Sequence, residues 1–140
     1  MQSHVPISNP KLLILIDYLS LIQSSEFYGG NVHLQVTEIS RNLKTFAKDF
    51  ACPVICLAQL NRSVESRDNK CPMMSDISES VSVEQEADVI LFLYREKYYD
   101  TESDNHSLEI IVSKNRNGPV GTIKGLRIMW KVQIDTWGIK

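Results

Sequence analysis

The sequence predicts an α/β fold: a mostly parallel sheet with flanking helices and a C-terminal hairpin. Apolar runs at residues 11–16, 54–60, 88–94 and 108–113 carry few polar interruptions, as in strands buried on both faces. Between the first two runs the apolar positions switch to helical spacing, which makes a β-α-β unit with a right-handed crossover. Asn117, Gly118 and Pro119 give a strong turn signal after the last run, so residues 110–113 and 120–123 are expected to pair as neighbouring strands.

The first strand ends at Asp17, and Gly29 and Gly30 break the chain after it. Over residues 36–50, Val36, Ile39, Leu43, Phe46, Ala47 and Phe50 fall on one helical stripe, with Arg41, Lys44, Lys48 and Asp49 largely outside it; Pro53 closes this helix. The second strand, 54–60, leads into a polar stretch that holds Arg62, Glu65, Arg67, Asp68, Lys70 and Asp76. Long polar connections inside a small domain are usually functional or mobile. Ser82, followed three residues later by Gln85, reads as the capping box of a short helix ending near Ala87. A polar, acidic connection over residues 96–107 separates the third strand from the fourth.

At 140 residues, 43% hydrophobic and 23% charged, the chain suits one globular domain and excludes a wholly disordered one. A formal net charge of −2 gives no broad basic face for nucleic acid. Cys52, Cys56 and Cys71 are odd in number and lack C-x-x-C spacing, which indicates neither a disulfide framework nor a zinc site. The longest apolar stretch is too short and interrupted to span a bilayer, and residues 1–10 carry no basic start or apolar core of a secretory signal; a cytoplasmic protein is expected.

Ligands of open α/β sheets bind beyond the carboxyl ends of the parallel strands. Asp17 ends the first strand, Gln59 lies at the end of the second, and Lys114 with Arg116 ends the fourth. Each has a plain alternative: a turn cap, an exposed edge residue, a solvated hairpin end. Together they suit a nucleotide-bound magnesium ion, which takes oxygen ligands and often keeps its waters. The partner of such a site is a G-x-x-x-x-G-K-S/T loop, and none of Gly29, Gly30, Gly118, Gly121, Gly125 and Gly138 opens that pattern. Without that backbone nest and lysine, tight binding of ATP by this chain alone is not expected.

The segments LLILIDYLSLI, EISRNLKTFAKDFACPVICLAQLNRSVE, SVEQEADVILFLYRE and LEIIVSKNRNGPVGTIK resemble, in order, consecutive stretches of the DnaB-family replicative DNA helicase motor. The resemblance implies that residues 1–124 are the C-terminal portion of a RecA-like P-loop NTPase core, with 125–140 a divergent tail. It implies a hexameric ring of helicase subunits that spends ATP, with Mg2+, on 5′ to 3′ movement along single-stranded DNA and on duplex separation in replication. By the same resemblance Asp17 is the Walker B aspartate that organises magnesium through water. Gln59 is the sensor between the γ-phosphate and the DNA loops. Lys114 and Arg116 reach a neighbouring subunit's nucleotide, Arg116 as arginine finger.

Arg62, Ser78, Glu79 and Ser80 fall in the region that contacts DNA in the family. There the family reads Asp-Leu-Arg-Glu-Ser-Gly, whereas this chain has Ser78 in place of the arginine and Val81 in place of the glycine. Losing a phosphate contact weakens DNA binding without sequence preference. The resemblance puts the phosphate loop, the catalytic glutamate and a collar domain upstream of the matched segments. The chain is accordingly expected to be inactive alone. The alternatives are a non-enzymatic module that joins a helicase ring, or a decayed gene remnant. A parallel sheet without its phosphate-loop strand is expected to leave apolar side chains uncovered, which favours a dimer or self-association.

Overall fold

A computed structural model describes residues 12–26, 28–77 and 80–126, with the side chains of Ser80 and Leu126 outside the description. Strand β1 (Ile14–Ile16) pairs in parallel with β2 (Val54–Cys56), Ile14 opposite Val54 and Ile16 opposite Cys56. Both are shorter than the apolar runs that contain them. The second run leaves the ladder because Leu60 pairs instead with Ile77, in an isolated antiparallel bridge.

Helix α1 (Val32–Asp49) makes the crossover. It begins four residues before the predicted 36, because the Asn31 side chain accepts from the Leu34 N–H at 3.2 Å and supplies an N-cap. Gly29 and Gly30, at φ 59° and 85°, make the turn ahead of that cap. The helix stops where Ala51 takes φ 47°, two residues before Pro53. Val36 and Ile39 are buried with Leu19, while Phe46 and Phe50 stack on each other at 4.3 Å at the exposed end.

The remaining strands, β3 (Val89–Tyr94), β4 (Leu108–Asn115) and β5 (Gly121–Leu126), form a second sheet in that order, antiparallel throughout. The hairpin predicted around Asn117–Pro119 is present as β4 and β5. The third and fourth strands, expected in one sheet with the parallel pair, instead run against each other. Their connection, residues 95–107, carries only the four-residue α3 (Glu96–Tyr99), and β4 returns along β3 as a direct antiparallel neighbour.

Helix α2 (Ser80–Glu86) starts two residues ahead of the predicted cap, so Ser82 lies inside the helix and is buried there rather than capping its start. Val83 places this helix, packing against both cores: one of Leu19, Val36 and Ile39, the other of Ile77, Ile90 and Phe92. Each sheet is thus covered on one face. On the other, Leu15, Ile55, Leu91 and Leu93 are 65, 48, 54 and 64% exposed. Runs that read as two-sided strands meet one covering layer.

Candidate functional site

Parallel pairing sets the first part of the site. The Leu57 N–H donates to the Ile16 carbonyl at 2.9 Å, and the Leu19 N–H to the Leu57 carbonyl at 2.8 Å, so the chain beyond β1 folds across the carboxyl end of β2. Asp17, exposed and joined to Tyr18 by a cis peptide, leaves from this end, as does Gln59, exposed three residues beyond β2. The two predicted residues therefore share the carboxyl end of the parallel pair.

Lys114 and Arg116 are placed differently. Lys114 lies opposite Ile90 in the ladder, and its ammonium donates to the Glu84 carbonyl in α2. Asn115 is opposite Val89, so Arg116 emerges beside the start of β3, where its N–H donates to the Asp88 carbonyl at 2.8 Å. Its guanidinium sits 3.4 Å from the Asp88 carboxylate. The same carboxylate accepts from the Lys44 ammonium of α1. A single rim of four parallel strands carrying Asp17, Gln59 and Arg116 is therefore not formed, because β4 runs antiparallel to β3.

Hydrogen bonding from Lys44 holds the Asp88 carboxyl below its ordinary value; partial burial opposes this, and the charges of Lys44, Arg116 and Lys114 reinforce it. A carboxyl depressed in the folded state contributes stability that is complete above its unfolded value of about 3.9 and is lost as pH falls through the folded value. Thermal melts from about pH 5 downward should therefore decline less steeply for Asp88→Asn than for the parent. Parallel profiles would remove Asp88 from the acid response.

The structure describes the predicted DNA segment as far as Ile77 and again from Ser80. The Leu60–Ile77 bridge, with the Asn61 N–H donating to the Asp76 carbonyl at 2.7 Å, closes residues 61–76 into a loop. Arg62 is exposed at its start, in the 3-10 turn Arg62–Ser66. Ser78 and Glu79 lie outside the described residues, and Ser80 begins α2.

Inside the loop is a pair whose pairing the sequence did not reveal. Arg67 grips Asp76 with both terminal nitrogens at 2.9 Å and donates to the Asn69 and Cys71 carbonyls at 3.2 and 3.0 Å. Asp76, 3% exposed, also accepts from the Met73 N–H at 2.8 Å. Between the apolar anchors Leu60 and Ile77 the sequence holds two arginines, Arg62 and Arg67, and two aspartates, Asp68 and Asp76, and nothing in it says which of them pair. Among the described residues no group of three His, Cys, Asp or Glu is arranged to hold a metal. Asp17 would thus offer a magnesium ion no full set of protein ligands, which fits an ion brought and mainly held by phosphate oxygens. Among the described residues no helix is long and apolar enough to cross a membrane.

The structure is similar to that of a DnaB-like replicative helicase studied with its interactions with primase, at TM-score 0.76 and 45% identity over 80% of this chain and 27% of that one. It is similar to a second solved ATPase domain at TM-score 0.75 and 45% identity, over 80% of this chain and 39% of that one. The fold is that of a RecA-type ATPase domain.

The chain belongs to the DnaB-like helicase C-terminal domain family, whose profile matches residues 7–136. It is 56% identical over 112 residues to the replicative DNA helicase DnaC of Bacillus subtilis, across 79% of this chain and 25% of that protein. To the replicative DNA helicase DnaB of Geobacillus stearothermophilus it is 55% identical over 113 residues, across 80% of this chain and 25% of that protein. The chain spans about a quarter of the length of these curated relatives.

Proposed function

We propose that this chain serves as part of a replicative DNA helicase motor and supplies pieces of two different nucleotide sites. One piece is Asp17 with Gln59, at the carboxyl end of the parallel pair. The other is Lys114 with Arg116, at the start of β3. The observation that carries this reading is that separation: cations that leave from the start of β3 suit a nucleotide held by a neighbouring subunit in a ring.

In the first piece Asp17 would hold a magnesium ion through water, and Gln59 would meet the γ-phosphate of the nucleotide. The 140 residues contain no G-x-x-x-x-G-K-S/T loop, so the phosphates are cradled by another segment or chain. In the second, the Arg116 guanidinium lies against the charge that spreads over the transferring phosphoryl oxygens, an effect that can reach about 10³ in rate. Single-stranded DNA is met by Arg62 and the 78–80 segment. With Ser78 and Val81 in place, that contact is weak and flat in its salt response.

By itself the chain should show no ATP turnover above background with magnesium and single-stranded DNA; hydrolysis abolished by Asp17→Asn would overturn this. Mixed into the intact helicase of Geobacillus stearothermophilus, it should change the ring's ATPase rate, and Arg116→Ala should slow each site it faces by about 10³. Equal rates with the parent, with Arg116→Ala and with no addition would exclude it from any ring.

A further inference from the structure

Asp88 occupies a position that the proposed chemistry does not use. It opens β3, and its carboxylate meets the Arg116 guanidinium at 3.4 Å and the Lys44 ammonium of α1. Lys114, whose charge also reaches Asp88, is held nearby on the Glu84 carbonyl. One carboxylate thus faces three cations from α1 and the end of β4. About half of both the Asp88 and the Arg116 side chains remains in water. Arg116 is tied at its backbone, through the 2.8 Å bond to the Asp88 carbonyl, but only loosely at its tip.

We propose that Asp88 is a positioning residue that parks Arg116 until a polyphosphate displaces it. A tight bidentate pair would hold the guanidinium too firmly to be exchanged. A half-solvated contact at 3.4 Å keeps it aimed and ordered, yet gives way to an anion of higher charge. Lys44 is part of the device: once Arg116 leaves, its ammonium still neutralises Asp88, so the carboxylate is not left as an unpaired charge beside the departing cation. The site that results is a switchable polyphosphate contact made of Arg116 and Lys114, gated by Asp88. This rests on Arg116 serving a nucleotide, and it adds what controls that arginine before the nucleotide arrives.

The full chain, titrated with inorganic tripolyphosphate and followed through the Arg116 side-chain Nε–H and Asp88 carboxylate resonances, tests the gate apart from any ring. In the unmutated chain both resonances should shift with one half-saturation concentration, because the anion replaces the carboxylate. Asp88→Asn should bind tripolyphosphate about fivefold more tightly, the weight of one favourable exposed ion pair together with the repulsion removed. Asp88→Glu should return affinity toward that of the parent, and Asp88→Asn with Arg116→Ala should lose the gain.

A purely structural Asp88 would give no gain in affinity on removal of its charge. Unchanged or weaker binding by Asp88→Asn, a gain that survives loss of Arg116, or Asp88 and Arg116 responding at different concentrations would each overturn the proposal. The paired resonances of the parent decide the matter if a variant fails to fold. If Arg116 does not serve a ring, the mixing experiment fails while this titration still succeeds.

Discussion

Arg67→Met is expected to cost the chain about 3 kcal/mol, seen as a fall of about 10 °C in melting temperature. Asp76 is buried, and its pairing with Arg67 lies largely out of water. Removing the guanidinium strands a carboxylate whose remaining side-chain donor is the Met73 N–H, and it frees the Asn69 and Cys71 carbonyls at the same time. A buried ion pair broken on one side is far costlier than one replaced on both. Arg67→Met with Asp76→Leu should therefore recover most of the loss, and chemical unfolding of the single and double variants measures it. A single-variant loss within about 0.5 kcal/mol, the range of ordinary surface changes, would mean the pair does not hold the loop.

The second large effect concerns the uncovered face of the sheets. Leu15 and Ile55 on the parallel pair, and Leu91 and Leu93 on the antiparallel sheet, are apolar side chains that no helix among the described residues covers. Burying one such side chain stabilises an association by about 1.5–3 kcal/mol. The chain is therefore expected to self-associate as concentration rises. Leu15→Lys with Leu91→Lys should raise the dissociation constant by about 100-fold or more, followed by light scattering or sedimentation. A parent that stays monomeric across the accessible range, or a double variant that associates equally well, would show the face to be inert.

This face also marks where the sequence was informative and where it was not. Runs such as residues 89–93 read as two-sided strands, and the composition of both faces was legible. The structure buries Ile90 and Phe92 but leaves Val89, Leu91 and Leu93 outside. Periodicity reports what a strand is suited to touch, not what is present to touch it. The direction of β4 was illegible for a related reason: an apolar run carries no arrow, and a connection of the length of residues 95–107 permits a neighbour of either direction.

Asp17 and Gln59 stand out as candidates in the sequence because position after a strand is a local property. Their shared end follows from the β-α-β unit, which the helical spacing of Val36, Ile39 and Leu43 announced. Lys114 and Arg116 stand out as candidates in the same way, but their surroundings do not. Asp88 lies 28 residues upstream of Arg116, and Lys44 lies 44 upstream of Asp88. Nothing in composition or spacing joins residues so far apart. Arg67 and Asp76 stayed hidden in the polar stretch because a buried ion pair and a solvated loop use the same letters.

The bridge between Leu60 and Ile77 gives the segment between them a neck. Whatever happens beyond that pinch, the strand before it and the helix after it leave from fixed points, so changes at the tip around Asp68 and Asn69 are insulated from the register of either sheet. A lineage can therefore rewrite that lobe, lengthen it or blunt its charge without disturbing the scaffold.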